Sequence, residues 1–84
     1  MEKRPYRSLL NKYVVTKEGR RLGVVKDITF EIRTGELINL VLKDITSHAL
    51  NLNLEKTNNK EVLIPYHSVI AIGDFIVVSE EDLA

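Results

Sequence analysis

The chain has 84 residues, no cysteine, and twelve basic residues balanced by twelve acidic ones. That length gives a single domain with a modest core, burying roughly 60–65% of its unfolded surface. Without cysteine there are no disulfides, thiolate metal sites or cysteine nucleophiles, and no run approaches the ~20 apolar residues of a membrane-spanning helix. Met1-Glu2-Lys3-Arg4-Pro5 leads into no apolar run, so no secretory signal is expected, and the cytoplasm is the expected compartment. The neutral total hides a split. Residues 1–26 hold eight basic and two acidic residues, and residues 27–84 hold four basic and ten acidic. Two readings of the split stay open: a basic arm for an anionic partner or attraction between copies, or neighbouring strands that interleave the signs and leave no patch.

Residues 1–7 are expected to form a flexible basic arm, with Lys3, Arg4 and Arg7 as candidate contacts for an anionic partner. Residues 8–11 read as a turn, 13–16 as a strand, and 17–20 as a glycine-containing turn. The stretch that organises the chain follows. Residues 22–32 place Leu22, Val24, Ile28, Phe30 and Ile32 on one face, with Asp27, Thr29 and Glu31 on the other. Val25 and Lys26 break this alternation, and a bulge near Gly23 would repair both breaks. Arg33-Thr34-Gly35 is the turn. The return strand, residues 36–43, is apolar on both faces, with Ile38, Leu40 and Leu42 on one and Leu37 and Val41 on the other.

Residues 44–48 read as polar and irregular. Residues 50–55 alternate leucine with polar residues, which predicts a strand rather than a helix. Thr57-Asn58-Asn59-Lys60 is a hairpin turn into a strand over 61–64, ended by Pro65. Residues 66–72 are expected to make one short helical turn with Val69 and Ile72 on the core. Gly73-Asp74 turns the chain into a last strand over 75–78, and residues 80–84 form a solvated acidic tail. The domain proper is thus 8–79: about six mostly antiparallel strands with one short helical turn, an all-β chain that suits a small barrel.

His48 and His67 are the two histidines. Neither has a neighbour at ligand spacing, so no metal site and no cofactor is expected, and His48 is read as a loop residue. His67, Ser68 and Asp74 offer the residue types of a triad without the glycine-flanked elbow that presents a serine, so no catalysis is expected there. The four glycines are too dispersed for a phosphate loop and read as turns and bulges. Asp27, amid an apolar strand, reads as a structural polar lock on the turn or bulge, facing inward with Lys12 or Arg21 as its partner. Tyr6 is the candidate exposed stacking ring; Tyr13, Phe30 and Phe75 fall in the core by pattern. The candidate protein contacts are apolar: Leu37 and Val41 on the second face of the return strand, and Phe75 and Val77 on a last strand that is apolar on both sides. A strongly coiled sheet that buries both faces by itself is the other open reading.

Four stretches taken in order carry a family resemblance: Ser8-Leu9-Leu10-Asn11-Lys12-Tyr13-Val14-Val15; Gly19-Arg20-Arg21-Leu22-Gly23-Val24-Val25-Lys26-Asp27-Ile28; Thr34-Gly35-Glu36-Leu37; and Ile64-Pro65-Tyr66-His67-Ser68-Val69 followed by Ile72-Gly73-Asp74-Phe75-Ile76-Val77-Val78. Together they resemble a PRC-barrel domain over nearly the whole chain. Asn11 stands where a glycine is common and Tyr66 where tryptophan is frequent, and residues 44–60 match least. The resemblance implies a non-enzymatic β-barrel that docks onto other macromolecules. The family includes a domain of the photosynthetic reaction-centre H subunit, a domain of a bacterial ribosome maturation factor, and short stand-alone archaeal adaptors, some acting in cell division. The expectation is therefore an adaptor that binds a protein partner, as a homodimer, in archaeal cell division. The alternative is a ribosome- or RNA-associated accessory protein. The family has no shared catalytic residues to carry over.

Overall fold

The computed structural model describes residues 6–83, Tyr6 by its backbone alone. A 3₁₀ turn, Tyr6–Leu9, leads into β1 (Tyr13–Thr16), β2 (Arg21–Phe30), β3 (Leu37–Lys43) and a short helix α1 (Ser47–Asn51). Then come β4 (Val62–Pro65), a 3₁₀ turn Tyr66–Ser68, β5 (Val69–Ile72), β6 (Ile76–Val78) and a last 3₁₀ turn, Glu80–Asp82. The strands form one sheet in the order β4-β3-β2-β1-β6-β5. Every pair is antiparallel except β1 with β6, which is parallel. The two outermost strands, β4 and β5, are consecutive in the chain and joined by a three-residue turn, so the sheet curls into a barrel with its seam between them.

The inward faces of all six strands meet in one core. Val14, Leu22, Val25, Leu40, Leu42, Val62, Ile64, Ile76 and Val78 are fully buried there. Each such side chain contributes about 1.5–3 kcal/mol by leaving water. Asn11 adopts φ 69° where the chain turns into β1, and its amide donates to Val25 O at 2.8 Å. That left-handed conformation is why a glycine suits this position and why asparagine replaces it at low steric cost.

The curl of β2 depends on slipped pairing. Val14 faces Gly23 while Val15 faces Arg21, leaving Leu22 unmatched. Val25 faces Leu42 while Asp27 faces Val41, leaving Lys26 unmatched. One bulge near Gly23 was expected to repair two breaks in the alternation; the strand uses two, and together they bring Leu22 and Val25 inward and leave Lys26 exposed. At Gly23 the strands approach so closely that a Cβ would lie 2.8 Å from Lys43 O.

Four expectations are corrected. Residues 50–55 do not form a strand. Thr46 caps α1, its Oγ1 accepting from Ala49 N at 3.2 Å and donating to Arg21 O at 2.6 Å. Leu50 and Leu52 end that helix instead of sharing a strand face. Residues 66–72 are a 3₁₀ turn followed by the strand β5, so a single helical turn is not what places Val69 on the core, and Ile72, expected there with it, is 45% exposed. Residues 80–82 are a folded 3₁₀ turn, with His48 Nε2 at 2.6 Å from Glu80 Oε2 and Leu83 buried, so the C-terminal segment is not merely solvated. Phe30 is exposed at the outer end of the β2–β3 ribbon, beyond the last pairing with β1 and with β4.

Val41 is a further correction that bears on the surface. It is 7% exposed, on the face of β3 opposite Leu40 and Leu42, between Asp27 on β2 and Leu63 on β4. β3 is thus covered on both sides at its centre, and Val41 is not free to meet a partner. Val41→Glu would bury a carboxylate, so we expect it to cost about 3 kcal/mol or more and to abolish the cooperative unfolding transition in urea. Gly23→Ala forces its methyl against a backbone carbonyl. It is expected to lower stability by about 1–3 kcal/mol, read as a lower urea midpoint with an unchanged slope.

Candidate protein-contact surface

In β1 the side chains alternate, with Val14 and Thr16 buried and Tyr13 and Val15 turned outward. Parallel pairing sets Val15 beside Val77 of β6, whose neighbours Ile76 and Val78 point into the core. Across the other edge of β1, Tyr13 faces Val24, and the slip at Leu22 places Arg21 opposite Val15. Val15, Val24 and Val77 are half-buried and form the floor of an outer apolar face.

Two aromatic rings stand on that floor. Tyr13 is 42% exposed and Phe75 is 48% exposed, with ring centroids 6.4 Å apart and planes tilted by 53°. The guanidinium carbon of Arg21 lies 4.6 Å from the Tyr13 ring centre, a cation–π contact. Lys12 Nζ donates to Gly73 O, and Gly73 N donates to Phe75 O at 2.9 Å. The turn that carries Phe75 is therefore tied to the start of β1. Tyr13 and Arg21 on paired strands, with Phe75 on the tied turn before β6, combine large contact area with little rotamer freedom to lose on binding.

Of the four expected contact residues, Phe75 and Val77 lie on this face. Leu37 and Val41 do not: both are on β3, Leu37 half-buried against the core and Val41 covered. Tyr13 and Phe75 were read as core by pattern and both stand outside; Thr16, a polar residue buried at 1% exposure, disguised which side of β1 faces the core. Arg21 joins the site through the slip at Leu22, which strict alternation does not reveal. A smaller apolar cluster, Phe30, Ile38 and the 95% exposed Ile32, sits at the tip of the β2–β3 ribbon.

The remaining candidates are scattered. Arg7 is exposed in the first 3₁₀ turn, while Lys3, Arg4 and the Tyr6 side chain lie outside the described residues. Asp27 is exposed, not inward, and its Oδ1 accepts from Ile28 N at 2.8 Å rather than from Lys12 or Arg21. It lies at the slipped pairing beside Lys26, which itself pairs with Glu61. His48 is a helical residue, not a loop residue, with Arg20 Nη1 3.4 Å from its Nδ1 and Glu80 at its Nε2. Ser68 is fully buried and donates its hydroxyl to Pro65 O at 2.7 Å, while His67 is exposed. Among the described residues no group of three or more histidine, aspartate or glutamate side chains could hold a metal ion, and no helix is long and apolar enough to cross a membrane.

The chain is similar to an uncharacterised protein of the archaeon Methanocaldococcus jannaschii, 34% identical over 83 residues, covering 99% of this chain and 89% of that protein. Residues 1–83 match the model of the PRC-barrel domain. The curled six-stranded sheet agrees with that β-barrel fold, and the chain belongs to the PRC-barrel domain family.

Proposed function

We propose that this chain is a non-enzymatic adaptor that docks a protein partner on the outer face built by Tyr13, Arg21, Phe75, Val15, Val24 and Val77. The observation that carries this reading is the exposed Tyr13–Phe75 pair with Arg21 stacked on it. These are the residue types that dominate binding energy in protein interfaces, and here they stand over a floor of paired strands, Tyr13 and Arg21 on β1 and β2 and Phe75 on the turn before β6. The buried hydroxyl of Ser68, committed to Pro65 O, supports the non-enzymatic half of the reading. The setting we favour, following the family resemblance and the archaeal relative, is the archaeal cell-division machinery in the cytoplasm, with the chain acting as a homodimer.

An affinity capture from native-host lysate, with and without nuclease, tests the reading when wild type is compared with the variant carrying Tyr13→Ala and Phe75→Ala. A nuclease-resistant division protein is expected with wild type, and binding to that purified partner is expected to weaken about 30-fold for each ring removed. Far-UV circular dichroism of the variant should be unchanged. Recovery of ribosomal proteins that vanish with nuclease would instead establish the ribosome-associated alternative.

A further inference from the structure

Strand register carries the outer aromatic face one strand further than its apolar floor. Val24 of β2 faces Tyr13 of β1 on one side and Lys43 of β3 on the other. Leu42 points into the core, so Lys43 turns outward and is exposed. Lys43, Val24 and Tyr13 thus form one row across three strands, and the Phe75 ring stands beside Tyr13 at its end. Arg21 reaches over the Tyr13 ring from β2. Neither cation of this row has a carboxylate. The ion pairs among the described residues are Lys26–Glu61 and His48–Glu80, and Arg21 and Lys43 take part in neither. Other basic groups around β2 are committed: Lys12 donates to Gly73 O, Arg20 lies against His48, and Lys26 meets Glu61. Two exposed carboxylates, Asp44 and Asp74, adjoin Lys43 and Phe75 at the two ends of the row, and among the described residues neither pairs with a cation.

We infer that this row takes an extended segment of the protein partner in which one carboxylate lies about three residues from one large apolar side chain. The inference rests on the docking face proposed above and names the chemistry that face recognises. Neighbouring strands lie about 4.8 Å apart, so Tyr13 and Lys43 are separated by roughly 10 Å, which about three residues of extended chain span. The apolar side chain lies against the tilted Tyr13 and Phe75 rings, and the carboxylate meets Arg21 and Lys43. A guanidinium already held on a ring has little rotamer freedom to lose, and its fork matches a carboxylate. An uncharged apolar segment fits worse, because it would cover two cations without pairing them. A nucleic-acid strand also fits worse. Asp44 and Asp74 leave room for one compact anion inside the row but repel a run of phosphates crossing its whole length.

A displayed library of random peptides, selected on the full chain, is expected to enrich sequences with one aspartate or glutamate about three places from a leucine, isoleucine or aromatic residue. With a purified enriched peptide, Lys43→Glu is expected to weaken binding about 10-fold by fluorescence anisotropy, with unchanged far-UV circular dichroism. Replacing the peptide's carboxylate by a lysine should reverse the preference, so that the altered peptide binds the Lys43→Glu variant more tightly than wild type. Enriched peptides that lack a carboxylate, affinity indifferent to Lys43→Glu, or no enrichment at all each overturn the inference. So does binding of a single-stranded RNA oligonucleotide at these rings in place of peptide. Peptides that need Tyr13 and Phe75 but ignore Lys43→Glu leave the docking face standing and remove only its acidic requirement, whereas peptides that ignore Tyr13→Ala and Phe75→Ala remove the docking face itself.

Discussion

β2 can run through the centre of this barrel because it carries two unmatched residues, Leu22 toward β1 and Lys26 toward β3, with a third slip near its end that leaves Ile38 of β3 unmatched. A regular ten-residue strand would put alternate residues on opposite sides and lie too flat to close around so small a core. The slips bend it and bring Leu22 and Val25 inward. They also set Arg21 over the Tyr13 ring and leave Lys26 outside to meet Glu61. Gly23 lies between them because its backbone passes within reach of Lys43 O, where no side chain fits. Thr46, which donates to Arg21 O and caps α1, fastens the helix to the bent end of the same strand. The core, the helix and the outer aromatic face therefore all depend on one irregular strand.

The β2–β3 hairpin was legible in the sequence because its signal is long: two strands of alternating residues and a glycine turn, with Gly35 at φ 76°. Shorter elements were not. The run 50–55 alternates leucine with polar residues, yet Thr46 starts a five-residue helix whose last turn takes Leu50, and Leu54 alone is buried. Five residues are too few for a 3.6-residue period to show itself against an accidental period of two. β5 was hidden by the opposite coincidence. Val69 and Ile72 are three apart, a helical spacing, but the slip at Ile70 adds one residue between them and returns both to the side shared with Val78 and Ile76. The expected and observed strand numbers agree because one spurious strand and one missed strand cancel.

The outer aromatic face was half legible for the same reason. Phe75 and Val77 could be singled out because a strand that is apolar on both sides has a face to spare. Val41 satisfied the same rule, but its spare face is flanked by β2 and β4 in a tightly coiled sheet and is covered. The pattern identifies an apolar second face. Position in the sheet order decides whether that face reaches solvent, and sheet order is not encoded in any one strand.

Sheet order also decides which parts of the surface are covered. β3 and β4 lie at one end of the strand order, where residues 55–57 run along the outer edge of β4, while β1, β6 and β5 lie at the other. A chain of 84 residues has surface for few large contacts. Sheet order therefore carries the exposed aromatic pair on β1 and the turn before β6, away from the β4 edge that residues 55–57 cover.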